Sequence, residues 1–266
     1  MNQSVQSIYH HAYAVLTEPD PKKKAESSVQ TVIFPVDVKN PGLPLTPPKR
    51  PARPDKPVLL EPQDMPKRST GEKGRIALLH ALAHIELNAI DLAWDIIIRF
   101  GPSLQKPGFI EDWCVVAAEE AQHFSSLCER LDQLDAAYGD LPAHDGLWEA
   151  AEKTSDDLLE RLAIIPMFLE ARGVDTSPKL IERLRSSGDN KSAQVLEVIL
   201  QDEVNHLRLG VRWFEMLCSE KSIDPVTTWQ SLVNKHLNTK PKSPINEKAR
   251  REAGMSPAYW ETWIDY

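Results

Sequence analysis

Two stretches of this 266-residue chain carry the same acidic pattern in the same order. Glu86 precedes Glu120-x-x-His123 by 34 positions, and Glu170 precedes Glu203-x-x-His206 by 33. Each of these groups falls on an apolar helical stripe. Around Glu120 and His123 the stripe reads Trp113, Val116, Ala117, Phe124, Leu127, Leu131 and Leu134, in steps of three and four. Around Glu203 and His206 it reads Val195, Leu196, Ile199, Leu200, Leu207, Gly210, Phe214 and Leu217. Leu79, Leu82, Ala83, Ile90, Ala93 and Ile97 flank Glu86, while Leu159, Leu162, Ala163, Pro166 and Met167 lead to Glu170. Four helices are therefore expected, each with an acid on its buried face.

Burying four carboxylates without compensation is prohibitive, since even one isolated buried charge costs several kcal/mol after relaxation. Two metal ions supply the missing positive charge. Four Glu and two neutral His suit hard or borderline metals, with iron first and manganese or a mixed Mn/Fe pair as alternatives. At i, i+3 spacing a Glu and a His share one helix face and can meet one ion. A Glu from each of two helices plus Glu-x-x-His from each of two others is the ligand set of dimetal carboxylate bundles. The expected ligands are Glu86, Glu120, His123, Glu170, Glu203 and His206. A single Glu-x-x-His would mean little, because most such pairs are solvated; the weight lies in the duplication.

Neighbouring residues leave alternatives open. His80 and His84 lie close enough to Glu86 to compete as ligands. His84 is two residues away, however, roughly 200° around the helix, on a face with His80, Asn88, Asp91 and Asp95 that suits a helix or strap contact. Glu119 and Asp202 immediately precede the ligand Glu residues. Each is either a solvated flank acid or an acceptor for the free ring N–H of a metal-bound His. Pro166, four residues before Glu170, should bend its helix, either as a tolerated kink or to open room for oxygen or substrate.

The periodicity predicts helices over about 4–17, 72–100 (stopped by Gly101-Pro102), 107–138 (stopped at Gly139), 144–172 (ended by Gly173), 190–219 and 224–238. A short helix is expected from Ser177-Pro178. No strand is expected, so the class is all-α. Ten prolines over 35–66 exclude a helix there and suggest an extended strap anchored by Val58, Leu59 and Leu60. The organisation is an N-terminal helix and Pro-rich arm (1–68), a helical bundle (69–240) and a tail (241–266). That tail is rich in polar and aromatic residues (Tyr259, Trp260, Trp263 and Tyr266) and is expected to pack irregularly on the bundle, with an exposed-looking aromatic surface that a partner could meet.

A net charge of −8 and pI near 5.5 argue against a nucleic-acid partner. No uninterrupted apolar run approaches the ~18–20 residues of a membrane span, and the N-terminus shows no signal peptide. Cys114, Cys128 and Cys218 form no C-x-x-C pair, which fits reduced thiols in the cytoplasm.

At these positions the chain resembles the ferritin-like superfamily. More narrowly, it resembles an uncharacterised bacterial ferritin-like family known as a domain of unknown function. The resemblance is carried by His80–Trp94, Asp112–Phe124, Tyr138–Trp148, Leu169–Gly173, Asp202–His206 and Pro244–Arg250. It implies a four-helix bundle with a dimetal core, extra C-terminal helices and the arm packed on the bundle. In the wider superfamily such sites activate dioxygen, oxidise iron, make a radical, or desaturate and hydroxylate substrates. The leading expectation is an oxygen-dependent di-iron oxidoreductase or hydroxylase, with dioxygen, an external reductant and an unidentified substrate as partners. The second Glu-x-x-His counts against iron storage. The missing rubredoxin-type Cys pairs count against a rubrerythrin-like peroxidase, and the distance of Tyr138, four turns past His123 on a continuous helix, against a radical-generating subunit. A tRNA hydroxylase stays open against the acidic charge. The alternative of another class is a metal-binding structural or interaction protein without turnover, whose partner would meet the aromatic tail.

Overall fold

The computed structural model describes residues 7–33, 43–69 and 71–264. Residues 4–6 of the expected first helix, 35–42 of the strap and Tyr266 lie outside the described residues. Among those described the chain is all-helical, with an isolated β-bridge and no strand. It divides into two compact units, Met1–Trp148 and Glu149–Tyr266.

The first unit is built on a hairpin of α3 (Glu72–Leu104) and α4 (Pro107–Asp132), with α1 (Ile8–Thr17) packed on α3 and α2 (Pro21–Ile33) on α4. Helix α2 was not anticipated. Its Lys- and Ser-rich sequence has little apolar periodicity, but Pro21 suits a first helical turn. Helix α3 runs through Gly101 and Pro102 to Leu104, and ends where Gln105 turns left-handed at φ 52° and its N–H reaches the Gly101 carbonyl. Gly101 is thus no stop signal. A side chain there would meet the Tyr9 ring at 3.3 Å, so the glycine admits α1. By length and composition α3 could cross a bilayer, but its apolar stretch is mostly buried within the protein, as in a core helix.

The polar face of α3 receives the N-terminal arm. Buried Lys24 reaches Asp91 at 2.5 Å, Arg53 pairs with Asp91 and Asn88 at 2.7 Å each, and Arg99 pairs with Asp95 on its own helix. Trp94 donates to Ser28 Oγ at 2.8 Å. The strap is not held by Val58, Leu59 and Leu60, whose side chains are exposed. There it is held by backbone, because Ala143 N–H donates to Val58 O and Leu60 N–H to Ala143 O. Pro51 and Pro57 supply the buried apolar contacts.

Helix α4 stops at Asp132, six residues before the expected end. Asp135 takes a left-handed φ of 54° and Gly139 one of 104°, which fold the following segment back. The division between the units falls inside α5 (Gly146–Lys153), whose last turn is closed in the second unit by buried Arg161, donating to Ala151 O and Thr154 Oγ1.

In the second unit the single helix expected over 144–172 is broken. After α5 the chain restarts at α6 (Leu158–Ile164), capped by Asp157 on Leu159 N–H at 2.7 Å. It then widens into a π-helical segment, Ile165–Glu170, and continues as α7 (Ala171–Ser186). Gly173 does not end it; α7 absorbs both Gly173 and the expected short helix at Pro178. A tight turn at Ser187–Asp189 leads into α8 (Asn190–Glu220), with Asp189 accepting from Ser192 N–H. Helices α9 (Pro225–Leu237) and α10 (Glu247–Glu252) pack on α6 and α8 and on α7 and α8 respectively. Within the second unit the tail packs against the helices, as expected, and Tyr259 and Trp260 are core residues rather than an exposed surface for a partner. Tyr259 and Trp260 are 0% and 2% exposed, Tyr259 packs edge-on to Trp229, and Arg250 lies over Trp260 while pairing with buried Asp175.

Candidate metal centre

Glu86 is on α3, and Glu120 and His123 are one turn apart on α4. The hairpin brings the three together in the first unit. His123 Nδ1 lies 3.3 Å from Glu86 Oε2 and 3.3 Å from Glu120 Oε2. One ligand atom from each residue falls within 4.8 Å of the others, and all three residues are no more than 3% exposed. Burial, reinforced by the Glu120 charge, pushes the Glu86 carboxyl up to about 8, against a pull downward from His123. Two carboxylates and an imidazole converging in a dry core fit a hard or borderline cation. Such an ion would take the place of the protons that this cluster otherwise needs to remain buried.

The second unit repeats half of this arrangement along one helix. His206, fully buried on α8, has Nδ1 3.8 Å from Glu203 Oε2, the same i, i+3 pairing that links His123 to Glu120. Glu203 is more open, with its side chain 13% exposed. Glu170 closes the π-helical segment and is half-buried. Glu170 lies four residues after Pro166, whose ring packs against Gly210, one turn after His206 on α8. Glu119 and Asp202 are half-buried beside Glu120 and Glu203.

The imidazoles that might have competed with Glu86 are used elsewhere. His80 Nε2 accepts from Gly139 N–H at 2.9 Å, and His84 Nδ1 meets the Tyr138 hydroxyl at 2.8 Å. Burial, then the charges of Arg53, His80 and His144, drives His84 down to about 3, so this ring is neutral. Tyr138 was expected far out on a continuous helix. Because α4 ends early, it returns to stack on His80 and to pack edge-on against Phe124, the neighbour of His123. The sequence signal for this is Asp135 and Gly139-Asp140, a turn-forming composition that interrupts the apolar stripe.

Pro166 is buried with its ring against α8 at Gly210. Its segment is π-helical, and the ring occupies the space beside Gly210. Gly210 itself has no periodicity signal beyond its place in the stripe.

Fold and site together define an all-helical protein with a buried carboxylate–histidine cluster suited to a metal ion. The chain belongs to the family described as protein of unknown function (DUF455), which matches residues 17–261. An uncharacterized protein of Haemophilus influenzae (strain ATCC 51907 / DSM 11121 / KW20 / Rd) is 42% identical over 211 residues, covering 77% of this chain and 73% of that protein. No solved structure matches the chain.

Proposed function

We propose that this protein is a ferritin-like dimetal carboxylate protein that uses dioxygen to oxidise a substrate. The two hairpins would combine as a four-helix bundle. In it Glu86, Glu120, His123, Glu170, Glu203 and His206 would hold two ions, iron first and manganese or a mixed pair as alternatives. The observation that carries this reading is the position of His123 Nδ1, 3.3 Å from two buried carboxylates on two different helices. The duplicated Glu-x-x-His, with His206 fully buried in the same pairing, supports a second ion.

When bound, two irons would supply the electrons for dioxygen reduction, with an external reductant restoring them. The chain's own residues do the rest. Glu86 and Glu120 would hold a cation as charged carboxylates, in place of the proton that burial otherwise retains, and His123 and His206 would hold it as neutral rings. Glu119 and Asp202 are proposed to accept the outward ring N–H of a ligand His and fix its tautomer. Ile90, Ala117 and Phe124, each within one helical turn of Glu86, Glu120 or His123, are buried and give the first cluster apolar surroundings. The free thiols Cys114 and Cys128, pushed up to about 12 by burial, and Cys218, pushed up to about 11, are inert and fit a reducing, cytoplasmic compartment.

The test is anaerobic loading with ferrous iron followed by exposure to air. The expected result is a new optical absorption with consumption of dioxygen. Iron-loaded protein that changes neither absorption nor oxygen concentration, across a range of reductants, would replace the oxidase reading with a structural metal site.

A further inference from the structure

In the second unit two residues that each disfavour a helix interior meet at one point. An ideal Cβ on Gly210 would lie 2.7 Å from Pro166 Cβ and 2.8 Å from its Cγ. Both atoms belong to a rigid ring, so no side-chain rotation relieves the overlap. Glycine inside α8 costs roughly 0.5–1 kcal/mol relative to alanine, and proline deprives its own segment of a backbone hydrogen bond. Only a close approach of the two segments gives both residues a reason to be there.

The location of that approach matters. Gly210 lies one turn after His206, and Pro166 lies four residues before Glu170. In the antiparallel hairpin, contact between Pro166 and Gly210 sets Glu170 level with His206. The corresponding positions in the first unit, four before Glu86 and four after His123, are Leu82 and Leu127. The first hairpin thus has no glycine–proline pair at this level, and in the second the π-helical turn that begins beside Pro166 ends on Glu170 itself. A wide turn changes the direction in which its last residue projects, so the aim of Glu170 depends on where Pro166 is seated.

We infer that the Pro166–Gly210 contact is a positioning device that aims Glu170 at the metal ion held by Glu203 and His206. This rests on the dimetal reading. Neither residue touches the metal; both act through Glu170. The contact sets spacing rather than merely filling volume, so exchanging the sizes of the two residues should restore what either single change removes.

The experiment loads the full chain with Co(II), whose visible absorption reports ligand geometry, and measures stoichiometry, affinity and spectrum. Wild type is expected to bind two ions. Gly210→Ala should keep one ion and lose affinity for the other by ~10–100-fold, with a spectrum matching that of Glu170→Gln. Pro166→Gly alone should also weaken the second ion, and serves as the probe if Gly210→Ala does not fold. The double variant Gly210→Ala/Pro166→Gly should recover the second ion and the wild-type spectrum. A folded single variant with wild-type affinity for both ions overturns the positioning role while leaving the dimetal reading intact. Wild type that takes up fewer than two cobalt ions overturns both.

Discussion

His123 Nδ1 lies 3.3 Å from Glu86 Oε2, a contact between residues 37 positions apart that closes the α3–α4 hairpin around a buried acid. Without metal, burial and the neighbouring Glu120 hold the Glu86 proton up to about 8, whereas the unfolded chain releases it near 4.5. A carboxyl whose folded value is raised favours folding at low pH. The stability of metal-free protein should be fullest below about 4.5, fall as pH rises toward 8, and level off above that. A bound cation removes this loss by balancing the carboxylates. Chelation should therefore lower the melting temperature more at pH 8.5 than at pH 5.5, measured by thermal denaturation with and without EDTA. An equal shift at both pH values would contradict a cation held by Glu86.

On the dimetal proposal, Glu203→Gln removes one charge and one anionic ligand. The variant should lose metal and oxygen reactivity, yet its metal-free form should be no less stable than metal-free wild type, because a neutral amide is easier to bury than a carboxylate. Comparing denaturation of the two metal-free proteins tests this. Marked destabilisation of the variant would mean that Glu203 serves the fold and not an ion.

Asp202→Asn should keep fold and metal stoichiometry while weakening metal affinity by ~10–100-fold, as expected for an acceptor that orients a ligand imidazole. Competition titration with a chelator reads this directly. Unchanged affinity would assign Asp202 to the solvated flank.

Asp91 is fully buried and takes Lys24 from α2 at 2.5 Å and Arg53 from the strap at 2.7 Å. Asp91→Ala strands two cations against the polar face of α3 and should destabilise the protein by about 3–5 kcal/mol, read by urea denaturation. A cost below about 1 kcal/mol would mean that water reaches Lys24.

The acid-bearing helices were legible because Glu86, Glu120, His123, Glu203 and His206 each interrupt an apolar stripe that only a helix can align. The breaks in that pattern were less legible. Pro102 and Gly173 looked like stops. Each lies inside a helix, because packing of the flanking turns, and Tyr9 against Gly101, outweighs the local penalty. Asp135 ends α4 through a left-handed backbone that apolar periodicity does not report, and this hid the return of Tyr138 to His84. Val58, Leu59 and Leu60 read as anchors because they are apolar, but the strap is fixed by Arg53 on Asp91 and Asn88 and, at Val58 and Leu60, by peptide groups that leave no mark on composition. That the tail packs is legible in its aromatic residues, but the polar neighbours of Tyr259 and Trp260 conceal how completely they are buried, against Trp229 and Arg250. The Pro166–Gly210 contact joins residues 44 positions apart, and nothing local in either segment announces it.

The most direct measurement is elemental analysis of protein produced in metal-replete cells and purified without chelators. The six proposed ligands, Glu86, Glu120, His123, Glu170, Glu203 and His206, predict two ions per chain, iron or a manganese/iron mixture, with His123→Ala and His206→Ala each reducing that number. A reproducible value near zero, or a single zinc retained when both histidines are replaced, would contradict it.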